Sequence, residues 1–154
     1  MAEFPMLRRS LCSLLLGVMM VSLTGCATAA RKAHDQREVA LTNTLDSYRK
    51  LIRWSSFEEA SRYLKAREGE AEVEMPVLAR YKPWKVAHYN EVEVLRNGPG
   101  DEARVTVDIQ FYSEETGMAS SVRDKQRWWY ESGPAVWHLA SPMPDFDAAT
   151  RFKK

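Results

Sequence analysis

Thiols are scarce in this 154-residue chain: Cys12 and Cys26 are its two cysteines, so residues 27–154 have none. That stretch can form no disulfide, offers no thiolate to a metal and holds no cysteine nucleophile, and its stability must come from a hydrophobic core. Charge of one sign is missing as well. The 22 Lys and Arg residues balance 21 Asp and Glu residues, without the polybasic tract that a nucleic-acid backbone requires. The three histidines, His34, His88 and His138, lie far apart and lack the spacing of a metal site. Neither a Gly-rich phosphate loop nor a Gly-x-Ser-x-Gly elbow occurs. No metal, cofactor or nucleic-acid partner is therefore expected, and no motif marks a catalytic residue.

Long apolar runs are limited to one. Leu11 to Leu23 carries no charge and follows Arg8 and Arg9. It falls short of the roughly 20 helical residues that a hydrocarbon core demands, and its layout is that of a secretory signal. The run ends in Leu23-Thr24-Gly25-Cys26. This resembles the lipobox of bacterial lipoproteins. The resemblance implies that the Cys26 thiol takes a diacylglyceryl group and that signal peptidase II removes residues 1–25. One acyl chain holds a bilayer marginally, at ~0.8 kcal/mol per buried methylene, whereas two or three anchor stably. Ala27 follows the cysteine; by the same resemblance an aspartate there would favour the inner membrane, and alanine favours the outer membrane, facing the periplasm.

Residues 26–39 read as the lipidated cysteine and a tether, since 27–38 contain no large apolar side chain, though their composition tolerates helix. Leu41, Leu45, Tyr48 and Ile52 then recur at spacings of four, three and four, one apolar stripe on a helix ending near Trp54. Ser55 and Ser56, with Glu58 and Glu59 three positions after each, form a capping-box signature. The second helix it announces presents Phe57, Ala60, Tyr63 and Leu64 and stops before Gly69. Residues 67–83, acidic and then broken by Pro76 and Pro83, predict an irregular connection or a short strand. From Trp84 the pattern turns to period two, with strands expected at about 84–96, 103–113, 118–131 and 136–141. Each break carries glycine where a hairpin needs positive φ: Gly98 and Gly100, Gly117, and Gly133. Helices followed by a meander make an α+β domain over 40–146, helices packed on a curved four-stranded antiparallel sheet. Residues 147–154 read as a short basic tail.

This order resembles the nuclear-transport-factor-2-like superfamily, a cystatin-like cone. The resemblance is carried by Leu51-Ile52-Arg53-Trp54, the Phe57-to-Leu64 helix, and the pair Trp128-Trp129-Tyr130 and Val136-Trp137-His138-Leu139. It implies a concave sheet face where members often hold a ligand. Some members, ketosteroid isomerases and dehydratases among them, use acid–base residues there; their motifs are absent here, so no catalytic residue transfers.

Alternation sorts the strands by face. Val105, Val107, Ile109 and Phe111 place odd positions of the second strand inward. Val86, Val92 and Val94 do the same for even positions of the first, bringing His88 and Asn90. Met118, Val122, Trp128 and Tyr130 set even positions of the third strand inward, with Asp124 and Gln126. His88, Asn90, Asp124 and Gln126, with Tyr48 from the first helix, thus form a candidate pocket in which a histidine beside a carboxylate could act as an acid–base pair. A single bulge would reverse the faces and turn those polar residues outward. The opposite face carries Tyr89, Glu91, Glu93, Arg104, Tyr112, Arg123, Lys125, Arg127 and Trp129. Its mixture of aromatics and arginines fits a protein contact, with Tyr89, Tyr112, Arg123, Arg127 and Trp129 as the candidate interface. The other reading of this face is a solvated surface stitched by cross-strand Arg–Asp pairs. The sequence thus reads as a lipid-anchored envelope protein whose domain contacts another protein or a second copy of itself, without catalysis. The alternative is an apolar-ligand binder or acid–base enzyme using the concave pocket.

Overall fold

Four apolar side chains decide where the first helix is buried. The computed structural model describes residues 6–97 and 100–151, with side chains for 29–97 and 100–150. The lipobox side chains Leu23 to Cys26, and Gly98 and Pro99, lie outside the described residues. The chain divides into two compact units, Met1–Gln36 and Arg37–Lys154. In the first, the described backbone is helical and His34 faces Asp35 at 3.9 Å. Helix α1 is Met6–Arg53, and it takes in the expected tether. Among the described residues no helix is long and apolar enough to cross a membrane.

Within the second unit, Leu41, Leu45, Tyr48 and Ile52 of α1 are all buried, as their spacing predicts. The helix ends in a left-handed cap. Ser55 has φ 58°, and its amide and that of Ser56 donate to the carbonyls of Ile52 and Leu51 at 3.0 and 2.8 Å. That is the position usually held by glycine. The expected capping box does not form. Ser56 precedes α2 (Phe57–Ser61) with ψ 60°, and its hydroxyl makes no capping bond, because the tight exit from α1 fixes its backbone. Helix α2 is also shorter than expected. Tyr63 and Lys65 leave the helical path to exchange backbone bonds with Leu139 at 2.7 and 3.1 Å, and this strand-like pairing ends the helix. Residues 67–83 are irregular apart from a 3-10 turn at Leu78–Tyr81.

Strands β1 (Trp84–Asn97), β2 (Glu102–Ser113), β3 (Ala119–Glu131) and β4 (Val136–Leu139) form one antiparallel meander in the order β1-β2-β3-β4. The protein is an α+β fold, with helix packed on one face of this sheet. The inner face presents Val105, Val107, Ile109, Phe111 and Trp128 to the helix stripe, all buried. Two hairpins turn at Gly100 (φ 81°) and Gly117 (φ 67°). In the third it is Ala135, not the expected Gly133, that takes positive φ, at 59°. The expected tail is partly structured as α3 (Phe146–Arg151), where Phe146 is buried 4.5 Å from the Phe111 ring. Trp84 Nε1 donates to Asp147 at 2.9 Å and helps dock this helix.

Left-handed backbone strains an L-residue by roughly 1–2 kcal/mol. Ser55→Gly and Ala135→Gly should therefore each raise stability by about 0.5–1 kcal/mol, after the added freedom of the unfolded chain is subtracted. Ile52→Ala, a cavity in the core, should lower it by about 2–5 kcal/mol. Urea melts of the three variants check this; glycine variants less stable than wild type would contradict the strain argument.

Candidate functional site

Two register shifts in β1 decide which polar groups meet. The β1–β2 pairing slips between Val86 and His88 and again between Glu91 and Glu93. The first shift inserts Ala87, so His88 pairs with Gln110 and Tyr89 with Ile109. Ile109 faces the core, and Tyr89 follows it inward while His88 and Asn90 turn out and are exposed. The expected placement of His88 and Asn90 in the pocket is corrected, and so is that of Tyr89 on the interface. The second shift inserts Val92, which is 50% exposed rather than inward. Met118, just before β3, is likewise exposed.

The β2–β3 register has no shift, from Glu102↔Trp129 to Tyr112↔Ala119. Asp124 and Gln126 consequently sit on the inner face, as the alternation predicts. There they meet Tyr48 of α1 and Tyr89 of β1. Trp128 Nε1 donates to Gln126 Oε1 at 3.1 Å, and Gln126 Nε2 donates to Tyr89 Oη at 3.0 Å and to Asp124 Oδ2 at 2.8 Å. An indole nitrogen can only donate, so Trp128 fixes the amide orientation and aims its NH2 group at the carboxylate. Tyr48 packs edge-on to Trp128 at 5.2 Å between centroids. Its hydroxyl is fully buried and has no hydrogen-bond partner among the described residues.

This environment perturbs the acids. Burial raises Asp124 from its ordinary 3.8 to about 6, against the lowering effect of the Gln126 and Lys125-amide hydrogen bonds. Burial likewise pushes the Tyr48 and Tyr89 phenols up, and the negative charge of Asp124 adds to both shifts. Chemically the cluster is a carboxyl poised to gain or lose a proton near neutrality. The histidine expected beside it lies on the other sheet face, so no His–carboxylate pair is assembled there.

The outer face is divided. Arg123 Nε and Nη2 donate to the two oxygens of Asp108 at 2.8 and 2.9 Å, the cross-strand pair foreseen. Arg127 grips both oxygens of Glu70, and Trp129 is only 9% exposed, its Nε1 donating to the Lys65 carbonyl at 2.9 Å. The placing of Trp129 on an open interface is therefore corrected: residues 65–70 cross over it. Tyr112 remains 38% exposed, and Arg104 and Lys125 are exposed as well. Glu70, Lys65 and Tyr89 carry roles that their sequence context does not signal. His138 bonds to Glu131 at 2.8 Å, and among the described residues no group of three or more His, Cys, Asp or Glu could hold a metal.

The linkage sign for Asp124 is fixed by its raised pKa. Below about pH 3 the carboxyl is neutral in both the folded and unfolded states and folding carries no penalty. As pH rises towards 6 the unfolded chain ionises first, and stability falls until the folded group has also ionised. A rise from 3.8 to about 6 corresponds to roughly 3 kcal/mol at full burial, and partial exposure reduces this to about 2 kcal/mol. Asp124→Asn should hence be more stable than wild type at pH 8 by about that amount, with the gain vanishing by about pH 3. Denaturant melts at both pH values decide it; a gain that did not depend on pH would refute the assignment. The sequence matches no protein-family model, and no curated protein is significantly similar to it.

Proposed function

We propose that the protein is a bacterial lipoprotein, anchored through Cys26 to the outer membrane and facing the periplasm, whose α+β domain is a non-catalytic module for contact with another protein or a second copy of itself. The anchoring half rests on the order of Arg8-Arg9, the apolar run Leu11–Leu23 and Leu23-Thr24-Gly25-Cys26. The helix-on-meander architecture agrees with a nuclear-transport-factor-2-like domain.

One observation carries the interaction half. The inner polar groups are engaged with one another, through Trp128, Gln126, Tyr89 and Asp124, whereas Arg104 and Lys125 stand exposed near one another on the outer face, and Tyr112 is exposed on that face at the other end of β2. Arg104 and Lys125 make no ion pair among the described residues. A rigid sheet presenting two neighbouring basic groups, with an aromatic ring further along the same strand, suits a partner surface that offers carboxylates. The rival acid–base reading has Asp124 in its favour, but His88 is on the opposite face.

Two arms test the proposal. Cys26→Ser should abolish palmitate labelling and release the protein from the membrane fraction; retention equal to wild type sinks the anchoring half. Arg104→Glu with Lys125→Glu should cut crosslinked partner or dimer yield about tenfold or more in intact cells, without changing the melting profile by more than about 0.5 kcal/mol, as expected of surface positions. Unchanged crosslinking sinks the interaction half.

A further inference from the structure

The chain leaves a gap along the free edge of β3. Strand β4 pairs with β3 only from Trp128↔Leu139 to Glu131↔Val136, and Ala140 extends the ladder by one bond to the Arg127 carbonyl at 2.7 Å. Pro142 and Pro144 follow; neither has an amide hydrogen, so the ladder cannot continue. Between β3 residues 122–125 and residues 141–149 lies a groove of about 400 Å³, walled by Val122, Pro142, Met143, Pro144, Ala148 and Ala149.

Asp124 lines this apolar groove and is partly accessible from it. Its carboxylate takes hydrogen bonds from Gln126 and from the Lys125 amide, yet no Lys, Arg or His among the described residues forms an ion pair with it. Two basic neighbours, Arg123 and Lys125, also border the groove, but neither pairs with Asp124. Arg123 and Lys125 lie at odd positions of β3, on the outer face, and Arg123 is held by Asp108. Asp145, at the rim, faces Arg80 at 3.5 Å. Behind Asp124, the charge acts on the buried phenols of Tyr48, Tyr81 and Tyr89, and the Tyr48 hydroxyl has no hydrogen-bond partner among the described residues. A mostly buried carboxylate without a counter-ion is a strongly cation-seeking group. Of the charged groups on the groove, Arg123 and Asp145 are engaged by Asp108 and Arg80, which leaves Lys125 and Asp124.

From these observations we propose that the groove binds a small organic ammonium ion: an amine on a compact apolar body, its nitrogen against Asp124 and its hydrocarbon against Met143, Val122 and Ala148. The cation supplies the missing counter-charge, and the apolar walls cover the rest of the ligand. A neutral alcohol of the same shape gains only the wall contacts, and a carboxylate is repelled. The site does not depend on the anchoring proposal, and either can fail alone.

The test uses the full chain in non-ionic detergent, titrated at pH 8 with cyclohexylmethylamine, cyclohexylmethanol or cyclohexanecarboxylate while the melting temperature is followed. The amine should give a saturable rise, and the alcohol and carboxylate none. Asp124→Asn should abolish the rise by removing the charge. Ala148→Trp should abolish it by filling the groove with Asp124 intact. Because the carboxyl titrates near 6, lowering the pH to 5 should weaken the apparent affinity about tenfold. Equal responses to amine and alcohol, no saturable response, or an undiminished response in either variant would each overturn the proposal. Should a variant lack a cooperative transition, the pH dependence in the wild type decides, and an affinity unchanged between pH 8 and 5 rejects the site.

Discussion

The unbroken register of β2 against β3 is the constraint on which the rest of the molecule depends. Side chains alternate across a sheet with period two, so one fixed pairing assigns a face to every residue of both strands. From Glu102↔Trp129 to Tyr112↔Ala119 there is no slip. Val105, Val107, Ile109 and Phe111 therefore form a continuous apolar floor with Trp128, and the α1 stripe has a surface to bury against. The same pairing forces Asp124 and Gln126 onto that floor. Their inward position is a consequence of strand geometry, and the protein meets it by linking Gln126 to Trp128, Tyr89 and Asp124. Every bond in this chain is made, but Asp124 is left with neutral partners.

Strand β1 solves a different problem. It lies at the sheet edge, where unpaired backbone groups invite another chain. Two extra residues, Ala87 and Val92, interrupt its pairing with β2, and bulges of this kind bend and twist an edge away from flat association. They also exchange the faces of the residues between them. Tyr89 moves inward to meet Gln126, while His88 and Asn90 move out. After the second shift Val94 returns to the inner side opposite Val105. The bulges thus protect the edge and select which aromatic side chain completes the inner cluster.

This explains which parts of the fold and the site were legible from residue order. The α1 stripe was legible because three successive spacings agree with one helical face, and β2 because its alternation is perfect. The inward facing of Asp124 and Gln126 followed from the same rule. The faces of β1 were not, because Val86, Val92 and Val94 all occupy even positions and mimic an unbroken strand, although two insertions separate them. The end of α2 was hidden for another reason. Tyr63 and Leu64 fit the helical stripe, but Tyr63 and Lys65 bond to Leu139, a partner more than seventy residues away in the chain. Helix α3 was also missed: six residues are too few to display an amphipathic period, and only the burial of Phe146 shows that the segment belongs to the domain.

The outer face shows how a long-range strap changes the meaning of a surface residue. Trp129 sits at an outward position, where an aromatic ring suggests a contact with another molecule. Its contact is instead internal. Lys65 accepts its indole N–H through the backbone carbonyl and stands over its ring at 5.7 Å, while Arg127 and Arg67 clamp Glu70, Asp101 and Glu102 around it. Exposed ion pairs contribute little singly, but here several converge on one short segment and close it over a large apolar ring whose burial is favourable. That closure removes Trp129 from the surface available to a partner and commits Arg127 to Glu70. The open area is confined to the rows that contain Tyr112, Gln110, Asp108, Arg123, Arg104 and Lys125. Within it Arg123 is neutralised by Asp108, so the attraction for an acidic partner must come from Arg104 and Lys125, with Tyr112 as an aromatic contact at the far end of the same strand.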